Sequence, residues 1–120
     1  MTYDSNNIFA KVLRGEIPCR LVYDDEHALA FHDINPQAQV HVLVIPKGPY
    51  VSLDDFTAKA TDAQLAGFTR AVGEVARVLG VDQGGYRIIA NHGEDSRQEV
   101  PHFHVHVLGG GPLGSLIGPR

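Results

Sequence analysis

The stretch Pro101-His102-Phe103-His104-Val105-His106-Val107-Leu108-Gly109-Gly110 alternates three histidines with apolar residues. Alternation at period 2 predicts a half-buried strand, with His102, His104 and His106 on one face and Phe103, Val105 and Val107 entering a core from the other. A single histidine on a strand is ordinarily a solvated polar residue. Three in step line one surface with imidazoles, the side chain that titrates near neutral pH. On this reading His104 is exposed on the sheet face, so replacing it costs little stability. Such a row suits metal binding or acid, base and nucleophilic catalysis. Zinc needs nitrogens about 2.0–2.1 Å from the ion, whereas same-face neighbours stand roughly 6.6 Å apart and the outer pair roughly 13 Å. Two could share an ion; three scarcely could. The remaining histidines are scattered, Cys19 is far away, and no CxxC or HExxH set closes a site. The expectation is a site with no metal and no cofactor.

Working outward, Tyr86 to Ala90 reads as a strand, and Asn91 to Glu99 as a polar loop that must lie beside the histidine strand. Downstream, Gly109-Gly110-Gly111-Pro112 ends the strand, and Leu113 to Arg120 is too rich in Gly and Pro for regular structure. Thr61-Asp62 opens the longest predicted helix, which runs to Leu79 with Leu65, Phe68, Val72, Val75 and Ala76 at helical spacing and Gly80 after it. Gly67 and Gly73 inside it imply close packing against a neighbouring element or a second copy. Val40 to Pro46 is an apolar strand interrupted by His41, and the connection after it offers Ser52, Asp54 and Asp55 as turn and capping oxygens. Arg20 to Tyr23 and Ala28 to His32 read as strands joined by Asp24-Asp25-Glu26-His27. Asp4 or Ser5 is expected to cap a helix from Asn6 to Arg14, ended by Gly15. From the residues alone, Ile8, Phe9 and Val12 are core, Asp33 caps a turn, and His41 is either a satisfied core residue or part of a site.

The order helix, strand, strand, strand, helix, strand, strand predicts an α+β domain on an antiparallel sheet of about five strands, with residues 1–120 as a single domain. A net charge of −4 excludes a protein that coats nucleic acid, since that binding rests on neutralising phosphates with Lys and Arg. One cysteine makes no intrachain disulfide, no apolar run approaches the roughly 20 residues of a membrane span, and no signal-peptide pattern stands at the amino terminus. The cytoplasm is the expected compartment, with no nucleic-acid or membrane partner.

His102-Phe103-His104-Val105-His106-Val107-Leu108 resembles the histidine triad (HIT) signature, in which histidines alternate with apolar residues. The resemblance extends through Asn7-Ile8-Phe9, Phe31-His32-Asp33-Ile34-Asn35-Pro36, His41 to Lys47, and Gly109-Gly110, and is greatest to the Hint branch of small dimeric nucleoside phosphoramidases. It implies a single HIT domain whose antiparallel sheet continues across a homodimer, and a purine nucleotide substrate. It further implies that His104 attacks the α-phosphorus to give a nucleotidyl-imidazole that water cleaves. His106 would bond the phosphate oxygens, with His102 and His41 supporting the nucleophile. The implied substrate-binding set is Ile8, Phe9, Phe31 and Ile34 around the base, Asp33 on the ribose hydroxyls, Asn91 near phosphate or ribose, and His32, Gln98, Glu99 and Val100.

The loop before the triad departs from the pattern. Arg97-Gln98-Glu99 stands where many Hint proteins have Gly-Gln-Ser or Gly-Gln-Thr. A carboxylate at 99 suits a cationic amine leaving group and repels additional phosphates. The resemblance thus leads to a hydrolase of purine nucleoside phosphoramidates, with dinucleoside polyphosphate hydrolysis, a nucleotide-binding regulatory module and a zinc-binding protein as alternatives.

Overall fold

The computed structural model describes residues 2–118. A short helix α1 (Ile8–Leu13) leads into β1 (Leu21–Asp24), β2 (Ala28–His32) and β3 (Val40–Pro46). Helices α2 (Leu53–Lys59), α3 (Asp62–Val78) and the single turn α4 (Val81–Gly84) precede β4 (Tyr86–Ile89), and a 3-10 turn (Glu94–Ser96) separates β4 from β5 (Val105–Gly109). The five strands form one sheet in the order β1-β2-β3-β5-β4, with every neighbouring pair antiparallel. The expected α+β class and strand count are therefore present.

The differences from expectation lie in the helices. Asn7, not Asp4 or Ser5, caps α1, its side-chain oxygen accepting from the Ala10 N–H, so the helix spans six residues. Asp4 is used one turn earlier, where its carboxylate and carbonyl accept from the Asn6 and Asn7 N–H groups. The connection holding Ser52, Asp54 and Asp55 is a helix: Ser52 caps α2 by accepting from the Asp55 N–H, and two acids fill its first turn. Only Phe56 of α2 is buried, so a run this short carries almost no apolar period to announce it. Thr61 and Gln64 close a capping box at the start of α3, and Gly80 (φ 75°) stands just past its end in the left-handed region.

Alternation along the strands sorts their residues onto two faces. Ala28, Ala30, Val42, Val44, Val105 and Val107 pack with Phe68, Ala71, Val75 and Ala76 of α3 and with Phe56 and Phe103 in the larger core. On the opposite face Leu29, Phe31, Leu43 and Ile45 pack against Phe9, Val12 and Leu13 of α1 and against Val100. His41 and His106 belong to this second face, by alternation with Leu43 and by the register Leu43↔His106. At Gly67 a Cβ would come within 2.1 Å of the His27 ring, so the β1–β2 turn lies directly on the helix there. Gly73 has no such neighbour, the nearest atom to its would-be Cβ being Arg77 of the same helix at 3.7 Å. The irregular tail expected from Leu113 is irregular as far as Gly118; Pro119 and Arg120 lie outside the described residues. Among the described residues no helix is long and apolar enough to cross a membrane.

Candidate active site

Strand β5 begins only at Val105, so His106 alone of the three histidines sits in the ladder. His102 and His104 occupy the irregular segment before it, where the His102 N–H donates to the Val100 carbonyl at 2.8 Å and the Phe103 N–H to the Tyr50 carbonyl at 2.7 Å. The alternation survives, since Phe103 joins the larger core while Phe9 packs edge-on against His102 and His104, at ring distances of 6.3 and 5.0 Å. The expected exposure does not. His102 is fully buried and His104 is only 7% exposed, because α1 and the segment before it cover this face of the sheet. Replacing His104 therefore removes packed volume, contrary to the expectation of little structural cost.

The backbone dictates where each imidazole carries its proton. A main-chain N–H can only donate and a main-chain carbonyl can only accept, so each fixes the ring nitrogen it meets. The Gln37 N–H donates to His41 Nδ1 at 3.0 Å, which leaves the proton of neutral His41 on Nε2. That Nε2–H lies 2.9 Å from His106 Nδ1 and 3.4 Å from Asp33 Oδ2. With Nδ1 accepting, His106 carries its own proton on Nε2. His104 is assigned the other way: its Nδ1–H donates to the His102 carbonyl at 2.7 Å, leaving Nε2 with a free lone pair. The His104 and His106 rings are 5.0 Å apart. One ring thus offers a nucleophilic nitrogen and its neighbour a hydrogen-bond donor.

Burial favours the neutral form of all four rings. It is the largest cause at each: His102 and His106 are pushed down to about 4, and His104 and His41 lie below the usual imidazole value. Positive charge on His104 or His41 would further disfavour charging His106. The carboxylates of Asp33 and Glu99 act in the opposite sense on His104. At neutral pH the lone pair on His104 is therefore available.

Asp33, His41 and His106 offer ligand atoms within 4.8 Å of one another, a grouping that strand spacing within residues 102–106 gave no sign of, because the members come from three segments. The hydrogen bonding does not suit an ion. A metal on His41 Nε2 would move that ring's proton to Nδ1, where it would face the Gln37 N–H.

The remaining residues of the expected site divide. Phe9 and Phe31 meet edge to face at 5.5 Å and are buried, while Ile8 is exposed and Ile34 is 96% exposed, so the structure does not pack these two into the same apolar cluster. The Asp33 carboxylate accepts from the Asn35 N–H and approaches His41. Asn91 lies two residues beyond Ile89, the register partner of His106, and is half-buried. Val100 packs against the apolar cluster that contains Phe9 and Phe31, and Glu99 is exposed. His32 is not brought to the cluster: it is paired with Val42, whose side chain belongs to the helix-side core, so His32 stands on the other face of the sheet. Gln98 holds the loop together, its amide nitrogen donating to the Val51 and Val100 carbonyls and its oxygen accepting from the Gly93 N–H. Arg97 takes a left-handed conformation (φ 57°), which explains why glycine suits that position in the pattern from which this chain departs. Two groups at the site escaped the sequence reading: the backbone N–H of Gln37, which no side-chain pattern reveals, and the hydroxyl of Tyr3, 2.7 Å from His102 Nδ1 and 99 positions away in the chain.

Residues 14–113 match the family model described as the HIT domain. The chain is 65% identical over 116 residues to an uncharacterized 13.2 kDa HIT-like protein of Azospirillum brasilense, covering 97% of this chain and 95% of that one. It is 40% identical over 110 residues to the purine nucleoside phosphoramidase of Escherichia coli K12, covering 92% of each. Among solved structures, a histidine triad protein from Clostridium difficile superposes with a TM-score of 0.82 at 40% identity, over 93% of this chain and 96% of that one. A triad run in the expected fold, with a family match across most of the chain, establishes that this protein belongs to the HIT domain family.

Proposed function

We propose that this chain hydrolyses purine nucleoside phosphoramidates, releasing a nucleoside monophosphate and an amine. The observation that carries this reading is the opposed protonation of two adjacent rings, His104 with a lone pair on Nε2 and His106 with a proton there. His104 Nε2 forms a bond to the α-phosphorus as the P–N bond breaks, and the amine departs with its electron pair and takes up a proton. Water then attacks the same phosphorus and gives up a proton, which balances the one taken up by the amine, the N–P bond to His104 breaks, and the ring is restored. His106 donates to the phosphoryl oxygen on which charge builds. Asp33 accepts from ribose hydroxyls, and Phe9, Phe31, Ile8 and Ile34 form an apolar wall for the base, with Asn91 near the phosphate. The name of the Escherichia coli relative supports the same substrate class.

Glu99 is exposed at the rim and its charge reaches His104, which favours a cationic amine as leaving group and opposes the extra phosphates of a dinucleoside polyphosphate. The test is incubation with adenosine phosphoramidates of a cationic and a neutral amine beside diadenosine polyphosphate. Release of AMP and free amine, fastest for the cationic amine, is expected. Cleavage of the polyphosphate alone, or nucleotide binding with no product from any of the three, would overturn the reading.

A further inference from the structure

We propose that Tyr3 is a positioning residue for the nucleophile, acting through His102. The proposal rests on the reading of His104 as the attacking group. His102 is fully buried, and both of its ring nitrogens are engaged: Nε2–H donates to the Pro46 carbonyl at 3.0 Å, and Nδ1 accepts from the Tyr3 hydroxyl at 2.7 Å. The His102 ring has no exposed surface of its own and meets Tyr3 and Phe9 edge-on, at 5.6 and 6.3 Å. The main chain of the same residue supplies the carbonyl that accepts from His104 Nδ1–H and so keeps the lone pair on Nε2. Tyr3 thereby pins the ring whose backbone assigns the tautomer of His104.

The segment bearing Tyr3 is itself tied down. Asn7 caps α1 with its oxygen while its amide nitrogen donates to the Asp4 carbonyl at 2.7 Å, and the Asn6 N–H donates to the Asp4 carboxylate at 2.9 Å. Residues 4–7 thus form one hydrogen-bonded turn that follows Tyr3 directly and is joined to the helix that supplies Phe9. Without the Tyr3 hydroxyl, His102 Nδ1 is a buried acceptor with no donor, and the ring must tilt to find one. A tilt at residue 102 moves the carbonyl on which the His104 Nδ1–H bond depends. The loss belongs to the chemical step, since the Tyr3 hydroxyl bonds His102 and not a residue of the apolar wall proposed for the base.

Tyr3→Phe in the full chain keeps the ring and removes only the hydroxyl. Long-range 1H–15N spectra of the histidines should show a single Nδ1–H form of His104 in the wild type and a mixture in Tyr3→Phe. With a phosphoramidate substrate, kcat should fall about tenfold while KM stays within about twofold. An unchanged His104 spectrum, or an unchanged kcat, overturns the proposal, even if the melting temperature falls. Should Tyr3→Phe not fold, a fluorotyrosine placed at position 3 strengthens the donor without changing its shape, and the His102 Nδ1 resonance must then move; if it stays, the hydrogen bond is absent and the proposal fails. Wild type that cleaves no phosphoramidate defeats the substrate assignment, while the spectra still decide the part played by Tyr3.

Discussion

His104 and His106 differ by one proton position, and their variants should differ accordingly. On the proposed mechanism His104→Ala removes the nucleophile, so hydrolysis should fall by at least about a hundredfold while purine nucleotide binding persists. Rapid-quench mass measurement should find an adduct of one nucleoside monophosphate in the wild type and none in the variant. Because His104 is packed beside Phe9 and buried, the same change should also lower stability by about 2 kcal/mol. On the same mechanism His106→Ala removes the proposed donor to the phosphate and leaves the proposed nucleophile, so its defect should be the smaller. The reverse order, or an adduct on His106, would contradict the assignment of protons. Titration supplies a second test at this scale. The pKa of His102 is lowered from 6.5 to about 4 by burial, so between those values the unfolded chain binds a proton that the native state refuses. This contribution to stability is complete above about pH 6.5 and is lost as the pH falls to about 4, at up to about 1.4 kcal/mol per pH unit from His102. His106, shifted by burial in the same direction, steepens the decline. Denaturant unfolding at several pH values checks this, and a stability that stays level from pH 6.5 to 4 would contradict it.

At the scale of elements, what sequence conveys depends on how periodic each element is. Strands β2 and β3 were legible to the residue because each is bounded by turn residues and runs almost wholly apolar, and the bounds of α3 followed from Thr61 and Gly80 to within a residue. Helix α2 was not legible, since its seven residues hold one buried side chain and its start is marked only by the Ser52 cap. The histidine row was legible as a row and misjudged as a surface: period 2 gives the face, but burial of that face depends on α1, which arrives from the far end of the chain. Of the candidate site, the grouping of Asp33 and His41 with the triad followed from the pattern while His32 did not join it, and the protons on the rings were not readable, because the Gln37 N–H and Tyr3 hydroxyl come from residues with no pattern of their own. The two glycines of α3 show the same division and can be tested directly. Gly67→Ala drives a methyl into the His27 ring and should destabilise by about 1–3 kcal/mol, whereas Gly73→Ala meets nothing but its own helix and should stabilise the chain by up to about 1 kcal/mol. Equal effects at the two positions in thermal unfolding would refute the packing described for the β1–β2 turn.

For the molecule as a whole, the two edges of the sheet are unlike, and the difference bears on assembly. Proteins blunt edge strands with bulges, charge or proline, because an unpaired ladder invites another chain. Strand β1 is blunted: its register slips between Leu21 and Tyr23, and it ends on Asp24. Strand β4 is regular, contains no proline, and leaves Tyr86, Ile88 and Ile89 exposed, so both of its faces are open. Its one charge, Arg87, is turned to the chain's own tail, donating to the Gly114 and Ser115 carbonyls, and therefore does little to repel a partner strand. These features support the proposal that a second copy continues the sheet at β4 and covers the apolar residues there. The expected species is a homodimer, measured by sedimentation at micromolar concentration. Ile88→Lys places a charge in the middle of that edge while touching neither buried core, so it should give a folded monomer with an unaltered circular dichroism spectrum. Because Ile89 is paired with His106, losing the partner should also loosen the strand beside the site and reduce turnover, more through kcat than by unfolding. A wild-type monomer, or an Ile88→Lys protein that remains dimeric, would place the interface elsewhere or remove it.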